Sequence, residues 1–537
     1  MKTGEKWMFP ELDTIIHEIK NKFEKRDILT FKLAVIAGFI VYFPFLTQWL
    51  GNPDSFWNGM LYKNGSDWEN SQGRFGLTVL YKIKGYLISP TFVTFCSVIL
   101  LALICVLIRK IFHFTKLWHI IFAICFVVVT PNVISTMTYY YCSDSYFLAY
   151  FLVVSAVYCA VKERTVKNYI LSSIFIAAAT SCYQAYVAVA AVLLLFVILQ
   201  RLVEDRSLRE VGRDLGYFIC TGITSMILYL GTFKFVQVVF NVVPASGKLT
   251  YPQWNQIIGL GKNTYRYFRA YFFENGFLYN DWYHRKQLNL YVLLAIGAIG
   301  IYYLVKKKPS VIRIIAIGFT FLLMPPAFML ITIIAPNVNY YPVLSLQLPA
   351  MTYVYILPVI LLAALGNHDV AENNGYRIYE WLTGYVCFRI SIMLIVFTFA
   401  FTGYMQMSWN RMLTASVEIE KEIETLKDKE EGARVVFAGE LPDFSYHNSL
   451  IDAIGGTTAE SKMVWSTWSG RQASWVYFLR HSVGRDYETI EEEEYQDIVN
   501  TEQFADMPVF PADGFAEKIN GVIVIKLGNQ DDLTEAE

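Results

Sequence analysis

The sequence predicts an α-helical multi-pass membrane protein of about 11 transmembrane helices, with an interfacial helix and a small C-terminal extracytoplasmic α/β domain. Three observations carry this prediction. Only 17% of the 537 residues are charged and 55% are hydrophobic, with a mean hydropathy of +0.37. An ordinary soluble domain carries about a quarter charged residues. The apolar residues collect in runs long enough for a bilayer core of about 30 Å. The net charge of −1 hides a split. Residues 406–537 hold 11 Lys and Arg against 26 Asp and Glu, a balance of −15, and residues 1–405 carry the complementary +14. These features exclude a disordered chain, a small disulfide scaffold and a typical soluble enzyme.

Residues 1–31 are polar and Lys-rich and read as a cytoplasmic segment without a signal peptide, since the first apolar run is long enough to stay in the bilayer. Apolar runs follow at about 32–50, 91–109, 118–138, 146–161, 169–182, 186–201, 215–241, 288–304, 311–334, 346–365 and 385–406, which define a transmembrane region over 32–406. The stretch 169–201 would be roughly 50 Å long as one helix. Basic clusters bound it on both sides, so a hairpin turning near Ser181-Cys182-Tyr183-Gln184 is expected. Residues 77–90 are amphipathic and too short to span, which predicts a helix lying in the interface.

Arg109, Lys110 and Lys116, then Lys162, Arg164 and Lys167, then Arg201, Arg206, Arg209 and Arg213, then Lys306, Lys307, Lys308 and Arg313 are the densest basic clusters of the body. The positive-inside rule places them, and the N-terminus, in the cytoplasm. The opposite segments 51–90, 139–145, 242–287 and 335–345 are richer in aromatics and face outward, and an odd number of crossings puts the tail 407–537 outside too. That tail reads as a charged helix over 415–432, a strand over 434–439, helices near 446–454 and 471–482, an acidic helix over 488–499 and a strand over 521–526, an α/β pattern. The eight cysteines lie in or beside apolar runs, and no CxxC pair suggests a zinc site or a disulfide framework.

The first outer loop, residues 51–75, concentrates the chemistry. It holds the carboxylates Asp54, Asp67 and Glu69, the guanidinium of Arg74, and Trp57 and Trp68. A carboxylate above the bilayer can act as general base on a hydroxyl acceptor. An arginine can clamp a phosphate leaving group, and tryptophans offer flat platforms for sugar rings. The plainer reading is a solvated loop with interface anchors. Asp144, at a helix mouth, fits either a helix cap or a catalytic site. Tyr183 and Gln184, polar within an apolar run, fit an interhelical hydrogen bond or a functional role. Arg266 and Arg269, in an aromatic-rich outer segment, fit a lipid-linked phosphate or anionic headgroups. No Asp-x-Asp motif and no His/Cys cluster suggests a metal, and the tail's −15 balance argues against nucleic acid.

The acidic first outer loop ending in Gly73-Arg74, the amphipathic segment after it, the Tyr-rich mouth closing on Asp144-Ser145, and the Tyr183-Gln184-Ala185 turn together resemble the bacterial Gtr type II glucosyltransferases, the serotype-converting group. The resemblance covers roughly residues 30–405. It implies a GT-C type membrane enzyme that takes a sugar, glucose by the family's name, from a polyprenyl-phosphate donor and passes it to a surface polysaccharide or lipid-linked glycan. It also implies work coupled to a donor-lipid synthase and flippase. Family members often carry paired acids before the Gly-Arg. Here Asp54 is followed by Ser55 and Asp67 lies nearer Gly73-Arg74, so both remain candidates for the base. No cofactor is expected beyond the donor lipid, and transfer is expected to be metal-independent. The alternatives are a glycan-lipid transporter or flippase, and a membrane scaffold of envelope polysaccharide assembly.

Overall fold

The computed structural model describes residues 24–58, 61–62, 67–245, 257–274, 285–334, 348–366, 374–427, 433–441, 464 and 468–528. Most of them are helical. In chain order the first part comprises α1 (Lys25–Thr47), α2 (Pro53–Trp57), β1 (Leu61–Tyr62), α3 (Asp67–Ser71), α4 (Phe75–Ile83), β2 (Leu87–Ile88), α5 (Pro90–Ile111), α6 (Leu117–Val128), α7 (Pro131–Met137), α8 (Ser143–Lys162), α9 (Val166–Cys182), α10 (Val187–Val203) and α11 (Leu208–Val239). Then come α12 (Ile257–Arg269), α13 (Arg285–Lys307), α14 (Val311–Phe328), α15 (Ile331–Ile334), α16 (Leu357–Gly366) and α17 (Asn374–Leu426). The tail adds β3 (Arg434–Ala438), α18 (Trp468–Ser482), β4 (Glu488–Thr489), α19 (Glu492–Val499), α20 (Glu502–Asp506), β5 (Ala516–Ile519) and β6 (Val522–Lys526).

Each of the eleven apolar runs coincides with a helix. Eight helices among the described residues are long and apolar enough to cross a membrane, and nine if α6 and α7 count as one span bent by 45°. The bend has a local cause. Pro131 cannot continue the α6 hydrogen-bond ladder. It sits at the first position of α7 instead, behind Thr130, whose hydroxyl accepts from Val133 N at 3.3 Å. The remaining two, α9 and α16, have 17 and 10 residues and fall short of that length.

The hairpin expected near Tyr183 is present. α9 ends at Cys182, Tyr183 is extended, and a single 3-10 turn over Gln184–Tyr186 leads into α10. At the far ends of this pair, Arg164 and Arg201 both reach Asp214 on α11, at 3.4 and 2.5 Å. Their convergence shows that the chain doubles back. The other basic clusters gather at the same end of the body. Arg109 Nε donates to Asp27 Oδ1 at 2.8 Å and Arg109 Nη2 to Glu24 Oε2 at 2.9 Å, while Lys116 at the start of the α6 turn pairs with Glu380 of α17.

Three elements differ from the sequence expectation. The amphipathic helix is shorter than 77–90: α4 stops at Ile83 because Gly85 and Tyr86 take left-handed φ values of 63° and 61°, and Leu87–Ile88 then pairs antiparallel with Leu61–Tyr62. Val79 and Ile83, one turn apart, stay exposed while Leu77 and Tyr81 are buried, which suits a helix with one apolar face left for lipid. The charged helix over 415–432 is no separate element, since the last span runs on without a break to Leu426. The acidic helix starts at Glu492, after a short strand at Glu488–Thr489. The helix expected near 446–454 lies outside the described residues.

The tail sheet has the order β4-β3-β6-β5, with β3 parallel to β4 and β6, and β5 antiparallel to β6. The two central strands read as continuous apolar runs because both of their faces are covered. On one face Phe437 stacks on Trp475 of α18 at 5.4 Å, and the Gln472 amide clasps the Phe437 backbone through N and O at 2.9 and 2.8 Å. On the other, Val436 and Val524 pack with Tyr495, Ile498 and Phe504.

Candidate functional site

The loop of residues 51–75 lies at the end of the body away from the basic clusters. α2 begins with Asn52, whose side chain accepts from Ser55 N at 3.0 Å, and Pro53 fits the first helical position. Two contacts hold this small helix on the body: Asn52 N and Ser55 Oγ both donate to Thr138 O, at 3.2 and 2.6 Å. Gly51 is required here, because a Cβ would run into the Tyr140 ring. Phe56 is fully buried between Tyr140, Trp409 of α17 and Phe478 of α18, at 6.4, 5.9 and 5.3 Å between ring centroids. Asp54 is thereby presented, half-buried, beside Tyr141. Burial pushes the Tyr141 hydroxyl well above its usual range, and the charges of Cys142, Tyr146 and Asp54 add to the shift.

A second turn builds the cationic part. Glu69 of α3 faces inward and is buried. Gly73, at φ 75°, closes the turn, with Arg74 N donating to Glu69 O at 2.7 Å. The hairpin apex clasps this turn from below. Gln184 Nε2 donates to Gln72 O at 2.7 Å, and Tyr229 Oη of α11 donates to Gly73 O at 3.1 Å. Gly76 lets α4 lie against Ser181 and Cys182, where a Cβ would collide with both. The Arg74 guanidinium is thus set 4.9 Å over the Tyr183 ring, which itself lies 4.8 Å from Tyr146. Its Nε is sealed from solvent without a hydrogen bond, and Arg74 forms no ion pair among the described residues.

Asp144 sits in the first turn of α8. Its carboxylate accepts from Ser145 N at 2.7 Å and from Lys84 Nζ at 2.9 Å to both oxygens. The helix cap expected at Asp144 is not found: the cap position is Cys142, no side chain caps α8, and Asp144 lies within the first turn with its carboxylate turned to Lys84. Tyr81 of α4 lies between these groups, and burial raises its hydroxyl, with the charges of Cys142, Glu69, Tyr146 and Asp144 contributing.

The structure thus brings Asp54, Glu69, Arg74, Asp144, Tyr183 and Gln184 around one set of tyrosines. It does not bring in the others. Asp67 and Trp68 are exposed on the outer side of α3. Trp57 is 54% exposed and lies 5.4 Å from Tyr477 of α18. Arg266 and Arg269 stand exposed on α12, which rests on α14 through Tyr265 Oη donating to Leu322 O at 2.6 Å. Sequence reasoning missed Lys84, Tyr81, Tyr141 and Tyr146. Lys82 and Lys84 were visible as the polar stripe of the amphipathic segment, but nothing local ties Lys84 to an acid 60 residues on. It also missed the α18 docking, including the 3.2 Å contact between His481 Nε2 and Phe56 O. Among the described residues no three His, Cys, Asp or Glu converge as a metal-binding set.

The family model described as glucosyl transferase GtrII matches residues 57–363, more than half of the chain. The match takes in Glu69, Arg74, Asp144, Tyr183 and Gln184, and begins three residues after Asp54. No curated protein and no solved structure matches the chain.

Proposed function

This chain belongs to the glucosyl transferase GtrII family and is a membrane glycosyltransferase; from that premise we propose that it moves glucose from a polyprenyl-phosphate donor to a surface polysaccharide or lipid-linked glycan outside the cytoplasm. One observation carries this reading. Arg74 is a cation set over ring faces, with a sealed Nε and no carboxylate partner among the described residues. A charge held this way is costly unless an anion joins it. The phosphate of a lipid-borne sugar is such an anion.

The chemistry then follows from positions. As the acceptor oxygen bonds to the anomeric carbon, its proton passes to a carboxylate of the first loop. The bond between the anomeric carbon and the phosphate oxygen breaks, and the electron pair stays on the phosphate, where Arg74 stabilises it. Lys84 is a weaker ligand while Asp144 already balances its charge. Asp54 is the better base, because it is half-buried beside Tyr141 while Asp67 is exposed. The exposed apolar residues Val79 and Ile83 of α4 give the donor's chain a surface beside this site. Phe478 of α18 packs on Phe56 of α2, which supports putting the tail on the same outer side.

The test is sugar decoration of the envelope in cells that carry Asp54→Asn or Asp67→Asn. A general base contributes roughly 10²–10⁴-fold, so Asp54→Asn is expected to remove most transfer and Asp67→Asn to leave it nearly intact. The reverse outcome moves the role to Asp67. A cysteine placed at Asn58 is expected to react with an impermeant reagent added from outside; protection there would overturn the outward placement. Chelation with EDTA is expected to leave transfer unchanged.

A further inference from the structure

A cavity of about 470 Å³ opens at the basic end of the body, the end away from the proposed transfer site. The tips of α1, α5, α8 and α10 form its walls. We propose that it binds the phosphate headgroup of an anionic bilayer lipid.

The charge balance is the first argument. Each carboxylate here is already committed. Asp27, fully buried, lies between Arg109 and Lys110, the latter at 3.1 Å. Asp214 lies between Arg201 and Arg164. Glu204 accepts from Arg206 Nε at 3.2 Å and from Gln200 Nε2 at 2.9 Å, and Glu24 accepts from Arg109. Two further cations, Arg26 and Lys162, line the cavity and form no ion pair among the described residues. Seven cations therefore face four carboxylates. Of this excess of three, two belong to Arg26 and Lys162, which pair with no carboxylate among the described residues and are both exposed.

The second argument is the shape of the lining. Ile111, Val161 and Val197 give the cavity an apolar side, and the hydroxyls of Thr115 and Tyr158 stand beside the cations. A cationic rim over an apolar wall matches an amphiphile better than a free ion. The rim is also held firmly, because Arg201 Nη2 donates to Val161 O at 3.0 Å and thereby ties α10 to α8. Spanning helices end at this level, where lipid phosphates lie, and basic pockets between helix ends suit anionic headgroups.

The test uses the full-length protein in neutral detergent micelles. Thermal unfolding and native mass spectrometry follow the addition of phosphatidylglycerol, of phosphatidylcholine, or of inorganic phosphate alone. The variant is Arg26→Gln with Lys162→Gln, which breaks no ion pair, so its lipid-free unfolding is expected to match that of the parent. Phosphatidylglycerol is expected to bind and stabilise the parent, and phosphatidylcholine to do neither. Each basic side chain near an anionic surface is worth roughly a fivefold change in affinity, so the double variant is expected to bind phosphatidylglycerol roughly 25-fold more weakly. Equal binding by parent and variant, or equal binding of the two lipids, would overturn the proposal. Stabilisation by inorganic phosphate alone, matching that by phosphatidylglycerol, would overturn the lipid and leave a free-anion site.

Discussion

The two ends of the helical body hold their charges in opposite ways. At the basic end the buried carboxylates have their cations: Asp27 has Arg109 and Lys110, and Asp214 has Arg164 and Arg201. At the other end Arg74 is set among tyrosine faces, and the nearby Asp144 is held by Lys84. The first arrangement closes helix ends together. The second leaves a cation in want of an anion, which is what a site for a phosphate leaving group requires. Buried paired charges build the frame at one end, and at the other Arg74, set among ring faces, is the group that the proposed chemistry uses.

Four perturbations probe that contrast, in order of expected effect. Asp27→Asn removes the buried partner of two cations and is expected to cost about 3–5 kcal/mol, read as loss of folded protein in a thermal melt. Arg74→Gln is expected to lower transfer roughly 10²–10³-fold with the melting temperature unchanged. If Arg74→Gln unfolded the protein instead, Arg74 would belong with the frame. Gln184→Leu strips the donor from Gln72 O and is expected to cost about 1–3 kcal/mol. It should slow transfer as well, because the turn that carries Arg74 loosens. The mildest effect is on pH. Burial lowers the His481 pKa from its ordinary 6.5, outweighing the Phe56 carbonyl that favours the charged form. The neutral ring is the docked form. Its contribution is complete above pH 6.5 and is lost as pH falls through the lowered value. The yield of a disulfide between cysteines placed at Trp57 and Tyr477 should fall over that same range.

Much of this was readable from the chain, and the rest was not for identifiable reasons. Apolar runs report helices faithfully because burial in lipid or in the body asks for the same residues. The Tyr183-Gln184 apex was legible because polar groups inside an apolar run need partners. Its partner, the Gln72 carbonyl 112 residues earlier, was not. The break at Thr130-Pro131 was written in the sequence as a cap followed by a proline, yet the hydropathy of 118–138 masked it. The end of α4 turned on left-handed backbone at Gly85 and Tyr86, and only the glycine signals that locally. The contact of α18 with α2 joins residues 425 apart and leaves no local trace. The weight given to Arg266 and Arg269 came from composition, which reports abundance and not direction.

The unbroken α17 has a mechanical meaning. At 53 residues it is a rod of about 80 Å, anchored near one end by Lys116 and Glu380 and near the other by Tyr487 and Arg485 on Glu420. A rod transmits rotational phase. One residue inserted after Asn410 would turn everything beyond it by about 100°, swinging Phe478 off Phe56 while every span stayed in place. The appendage is therefore indexed to the body, as a key is to its shaft.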